Sequence, residues 1–183
     1  MRKKVFVCAF LLLTILLTFE ELYPRKFQKI NLSTGAGISK MLRYEDAQVY
    51  LFGETHRCTE YQRFRNVLFK YLVKEKGVRV FVEEAGYATT FLENETVQGR
   101  LSFSDWLDRC TSSKEDYELY QWIADWNSGR EDADKISIIG IDITDNIGNM
   151  QMLCQYLLKT CDFTGADVQT QRLLTAIRKQ NPF

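Results

Sequence analysis

The stretch "LFGETHRCTEYQRFRNVLFKYLVKEKGVRVFVEEAGY" (Leu51–Tyr87) decides the fold. It opens on the end of a short β-rich run, Ala47–Gly53, whose Val, Tyr, Leu and Phe suit a strand. Helical spacing follows: Tyr61, Phe64, Leu68, Tyr71 and Leu72 fall on one face, with Arg and Lys on the other. Gly77 stands where a left-handed C-cap is expected, and Val78–Glu83 then reads as a second strand. Strand, helix and strand joined by short connections make a βαβ unit, so the two strands are expected to run parallel.

Reading outward, "YATTFLENETV" (Tyr87–Val97) is expected to be helical, and "SFSDWLDRC" (Ser102–Cys110) a short helix capped by Ser102 or Ser104 and anchored by Trp106. In "SSKEDYELYQWIADWNSG", Ser112 and Glu115 have the spacing of a capping box. Leu119, Tyr120, Ile123 and Trp126 form a buried stripe there, and Gly129 ends the helix. The aromatics Tyr117, Tyr120, Trp122 and Trp126 are expected as core or groove wall. "KISIIGID" (Lys135–Asp142) is a third strand, and two more helices follow. The fold class is α/β: a mainly parallel sheet of three to four strands flanked by helices. The last two helices have no following strand to cover, which gives the expectation of an incomplete domain, truncated at its C-terminus.

Bulk properties fit one globular domain. The chain has 183 residues, 45% of them hydrophobic, and 24 basic residues balance 24 acidic ones. That balance, with no basic stripe, excludes the electrostatic footprint of a nucleic-acid binder. The first residues differ from the rest. "MRKK" precedes the apolar run Val5–Phe19, the pattern of a signal peptide or signal anchor. The run is shorter than the roughly 20 residues of a full crossing. The following "EELYPRKF" offers no small-residue cleavage site, which favours an uncleaved anchor. Residues 1–27 are thus expected as signal or anchor with a connecting arm, and 28–183 as the α/β domain. Its place is either at a membrane, facing away from the cytoplasm, or secreted. Outside, Cys58, Cys110, Cys154 and Cys161 allow three disulfide pairings or remain thiols. Asn31 and Asn94 begin glycosylation sequons.

Each strand ends in acid: Gly53-Glu54, Glu83-Glu84 and Gly140-Ile141-Asp142. In a parallel sheet these ends share one edge, and ligands of open α/β sheets bind outside it. Glu54, Glu83 or Glu84, and Asp142 are therefore expected to converge. His56, the sole histidine, lies two residues past Glu54. A carboxylate can hold an imidazole in one tautomer while its free nitrogen takes a proton from water. The plainer reading of such acids is that they cap the helices that follow.

The motif around Glu54 and His56, the second strand ending in "VEEAGY", and "WIADWNSGREDADKISIIGIDI" together resemble the erythromycin esterase-like family over roughly Tyr44–Leu158. The resemblance carries over Glu54 and His56 from the first motif, Glu84 from the second by its distance from Tyr87, and Asp142 from the third. It implies an α/β fold with a cleft above the sheet, where the histidine activates water against an ester or lactone and the carboxylates assist. It implies a small-molecule substrate; no cofactor is expected, although related folds bind haem. Esterase members of the family supply a second histidine from a longer C-terminal half and often have Gly where this chain has Arg57. The alternatives are therefore a non-catalytic domain binding a small ligand, metal or haem in the same cleft, or an inactive relative.

Overall fold

In the computed structural model of the chain, the described residues are 29–42, 47–53, 55, 58–105, 113–143 and 145–180. The expected N-terminal apolar segment lies outside them, as do Glu54, His56, Trp106, Cys110 and Ser112. Among the described residues, no helix is long and apolar enough to cross a membrane.

The chain divides into two compact units, residues 1–45 and 46–183. The first contains a short helix, α1 (Ile38–Met41). Before it, the Asn31 side chain accepts hydrogen bonds from the amides of Ser33 (2.8 Å) and Thr34 (3.1 Å), so this sequon asparagine organises its own turn.

The second unit runs α2 (Thr59–Lys76), β1 (Val80–Gly86), α3 (Tyr87–Val97), α4 (Lys114–Asn127), β2 (Ser137–Asp142), α5 (Ile147–Thr160) and α6 (Val168–Gln180). The architecture is mixed α/β, with six helices and a two-stranded parallel sheet among the described residues. Gly77 ends α2 in the left-handed conformation (φ 72°), and the Val78 amide bonds back to the Leu72 carbonyl.

The core forms on one face of the sheet. Phe81 of β1 and Ile138 of β2 point into it, joined by Phe69 and Val73 of α2, Leu92 and Val97 of α3, and Leu119, Tyr120 and Ile123 of α4. Phe69 and Phe81 meet with ring centres 4.6 Å apart. The stripe expected on α4 is thus buried, except that Trp126 is half-covered, its ring flanked by Arg79 and Arg130. On α2 the buried face is rotated from the expected one. Phe69 and Val73 pack inward, while Tyr61 is exposed. Asn66 is buried too, because its Nδ2 reaches the Glu115 carbonyl (2.7 Å).

Two expectations are corrected. Ala47–Gly53 carries no strand: Val49 and Leu51 are exposed, while Phe52 packs against Tyr61 and Phe64 of α2 and the Tyr50 hydroxyl is buried. Strand-type residues alone do not make a strand without a ladder partner and a covered face. The cap of α4 also lies one residue later than expected. The Ser113 hydroxyl accepts from the Asp116 amide (3.0 Å) and donates to the Asp116 carboxylate (2.6 Å).

Outward groups of β2 and its lead-in are filled by amide side chains. Asn127 donates to the carbonyls of Ile136 (2.9 Å) and Val97 (3.1 Å) and accepts from the Ile136 amide (2.7 Å), while Asn94 accepts from the Ile138 amide (3.0 Å). Asn94 is therefore a partly buried structural residue on α3 rather than an open glycosylation acceptor. On the face opposite the core, Val80, Val82, Ile139 and Ile141 are all exposed.

Candidate functional site

The parallel pairing brings the C-terminal ends of β1 and β2 to one edge. Val80, Phe81, Val82 and Glu83 stand opposite Ser137, Ile138, Ile139 and Gly140 in turn, and then Gly86 stands opposite Asp142. Between those last two pairs β1 advances three residues and β2 only two, so the extra residue forms a bulge at Glu84-Ala85. Up to Glu83 the strand keeps its regular alternation, with Phe81 and Glu83 on the core side. Glu84 is exposed. Asp142 is half-buried at the last register position of β2. Of the four residues expected from sequence, Glu84 and Asp142 thus lie at the same end of the sheet, while Glu54 and His56 lie outside the described residues.

Gly140, in the "GID" stretch, is fixed by close packing. A Cβ there would lie 2.3 Å from the Ala85 carbonyl oxygen and 2.5 Å from Thr90 Oγ1. Only glycine lets α3 cross the strand at that height. Helix α3 starts directly after β1, and its first turn is held by an acid the sequence reading passed over. Asp145 accepts from the amides of Ala88 (2.6 Å) and Thr89 (3.2 Å) and from the Thr89 hydroxyl (2.8 Å). Asn149 of α5 donates to that hydroxyl (2.8 Å). Asp145 is a helix cap, the plain role that acids after strands often have. It ties the loop after β2 to the end of β1 and so fixes the edge that carries Glu84 and Asp142.

Beneath this edge lies a buried acid cluster. The Tyr120 hydroxyl donates to both oxygens of Glu83 (3.1 and 3.0 Å). Glu93 of α3 is 8% exposed, and its carboxyl lies against those of Glu83 and the Tyr120 hydroxyl. Burial pushes the Glu83 carboxyl up to about 7, against the nearby Arg65 and Tyr120, which favour its charged form. Burial, and then the charge of Glu83, push Glu93 up to about 9. Burial likewise holds the Tyr120 phenol well above its ordinary value. Arg65 reaches over from α2 to Asp116 (2.5 Å) and carries the cluster's positive charge.

Sequence reasoning weighed Glu83 only as an edge acid and passed over Glu93, Arg65 and Asp116. Glu93 lies on a helix with no charged partner at helical spacing, and Arg65 falls on the face of α2 that carries Arg and Lys. Six of the eleven residues of α3 are Thr, Glu or Asn, so the helix sequence carries no stripe that marks Glu93 as buried.

Cys58, Cys154 and Cys161 are free thiols. Among the described residues, no group of three or more His, Cys, Asp or Glu is arranged to hold a metal ion.

No family model matches the chain, and no curated protein matches it. Among solved structures it is similar to a Bacillus cereus protein of known crystal structure, with 26% identity and a TM-score of 0.41. The likeness covers 56% of this chain and 26% of that one, so this chain spans about a quarter of that protein's length.

Proposed function

We propose that the chain is an exported or membrane-anchored, hydrolase-like α/β domain that cleaves an ester or lactone at the C-terminal edge of its sheet. In this reading the His56 imidazole takes a proton from water as the water oxygen adds to the ester carbonyl. Collapse of the tetrahedral adduct expels the alcohol oxygen, which receives that proton back from the imidazolium, leaving acid and alcohol as products. Glu54 or Glu84 orients the ring and favours its charged form, and Asp142 shapes the pocket.

The observation that carries the reading is the parallel register of β1 and β2, with Glu84 in a bulge and Asp142 at the last paired position of the same edge. The motif resemblance over Tyr44–Leu158 supports it, and the basic-then-apolar start supports the localisation. The finer architecture belongs with the same reading: a helix-flanked parallel sheet of three to four strands, of which β1 and β2 are the described pair. Parallel sheets are normally covered on both faces, and the exposed row Val80, Val82, Ile139 and Ile141 is the kind of surface a further layer covers.

The test is turnover of a panel of aryl esters and macrocyclic lactones by the full chain and by His56→Ala. The expected result is loss of activity on the order of 10²–10⁴-fold in the variant. Hydrolysis of none of the panel, or hydrolysis indifferent to His56, removes the proposal.

A further inference from the structure

We propose that Glu83 and Glu93 share a proton at neutral pH, forming a proton-dependent latch that joins β1 to α3. The argument starts from hydrogen bonding. Glu93 Oε2 is buried and has no hydrogen-bond partner among the described residues. The group its carboxyl lies against, the Glu83 carboxyl, can only accept when ionised. The Tyr120 hydroxyl lies beside both acids, but among the described residues its hydrogen bonds go to the two Glu83 oxygens and none reaches Glu93 Oε2. A buried acceptor without a donor is costly, and so is a pair of adjoining buried carboxylates. One proton placed between the two acids removes both costs, because it supplies the missing donor and leaves a single negative charge.

The surroundings fit one charge better than two. From α4 the pair meets Tyr120 and Asp116, and from α2 it meets Arg65. Arg65 is engaged by Asp116 at 2.5 Å, so the local sum already includes one further carboxylate. From α5, Tyr156 reaches Glu95 (2.5 Å) and not the pair. The raised proton affinities of Glu83 and Glu93, both caused first by burial, agree with this arrangement.

The sign of the linkage follows. Both acids hold protons in the folded state above the pH at which they release them in the unfolded chain. The folded state then binds more protons, and stability is lost as pH rises. The loss begins above the ordinary carboxyl range near 4.5 and continues through about 7 and about 9. Because β1 runs straight from Glu83 into the bulge at Glu84, the latch holds the strand end at the sheet edge.

The experiment is urea unfolding of the full chain and of Glu93→Gln between pH 5 and pH 9, with infrared spectra of the folded protein over the same range. Each proton bound only by the folded state makes the unfolding constant rise about tenfold per pH unit. The wild-type chain should show that rise between pH 7 and pH 9. Glu93→Gln, whose amide supplies the donor permanently, should lose about one proton's worth of the slope. The wild-type infrared spectrum should keep a protonated carboxylic-acid band at pH 7.5. A flat wild-type profile, an unchanged slope in Glu93→Gln, or no acid band at pH 7.5 overturns the proposal. If Glu93→Gln does not fold, the band in the wild-type spectrum decides.

Discussion

Replacing Gly140 by Ala probes the closest packing in the fold. The added methyl group would lie 2.3 Å from the Ala85 carbonyl oxygen, 2.5 Å from Thr90 Oγ1 and 2.9 Å from Thr90 Cγ2. The Ala85 oxygen is backbone in the bulge and cannot rotate away. Thr90 is 2% exposed, and its hydroxyl bonds to the Gly86 carbonyl at 3.1 Å, so turning it aside breaks that bond. Overpacking of this kind costs about 1–3 kcal/mol, and the lost hydrogen bond adds about 0.5–1.5 kcal/mol. Gly140→Ala should therefore destabilise the domain by roughly 2–4 kcal/mol, lowering the melting temperature by roughly 5–15 °C. Urea and thermal unfolding followed by circular dichroism measure this directly. Thr90→Ala removes two of the three contacting atoms, so Gly140→Ala should cost less in that background, a coupling that a double-mutant cycle reads. A loss below about 0.5 kcal/mol, or strict additivity with Thr90→Ala, would mean that α3 does not cross β2 at this height.

Two further substitutions test the frame of the edge. Asn127→Ala removes three hydrogen bonds and leaves the buried Ile136 amide and carbonyl without that partner; it should cost roughly 2–4 kcal/mol in chemical unfolding. Asp145→Ala removes the cap of α3 and should cost about 0.5–2 kcal/mol. Hydrogen–deuterium exchange should then speed up at Ala88 and Thr89 while the amides of β2 stay protected.

Local chemistry was legible in the sequence where one element decides it. Gly77 ended α2 as its backbone freedom predicts, and Tyr87–Val97 and the strand in "KISIIGID" were read from spacing and β-rich composition. The βαβ unit expected of Ala47–Gly53 and Val78–Glu83 is not formed among the described residues, while the parallel sense expected of strands separated by helices is observed for β1 and β2. What depends on a partner was not legible. Val49 and Leu51 look like strand residues, but a strand needs a neighbour to bond. Arg65 looks like a surface residue until Asp116, far along the chain, gives it a reason to turn inward. Alternation from Phe81 puts Glu83 on the core side and Glu84 on the other, but only the burial of Phe81 shows which side the core is on. Asp145 escaped notice because its amide partners precede it by more than fifty residues.

The chain's single histidine makes the central claim open to one measurement. In proton NMR its ring gives one C2–H signal, whose titration can be followed in the wild-type chain, Glu84→Gln and Asp142→Asn. If the strand ends gather their carboxylates around His56, neutralising either acid withdraws support for the imidazolium, and the titration midpoint moves to lower pH in both variants. A midpoint identical in all three proteins would contradict a shared site at the sheet edge.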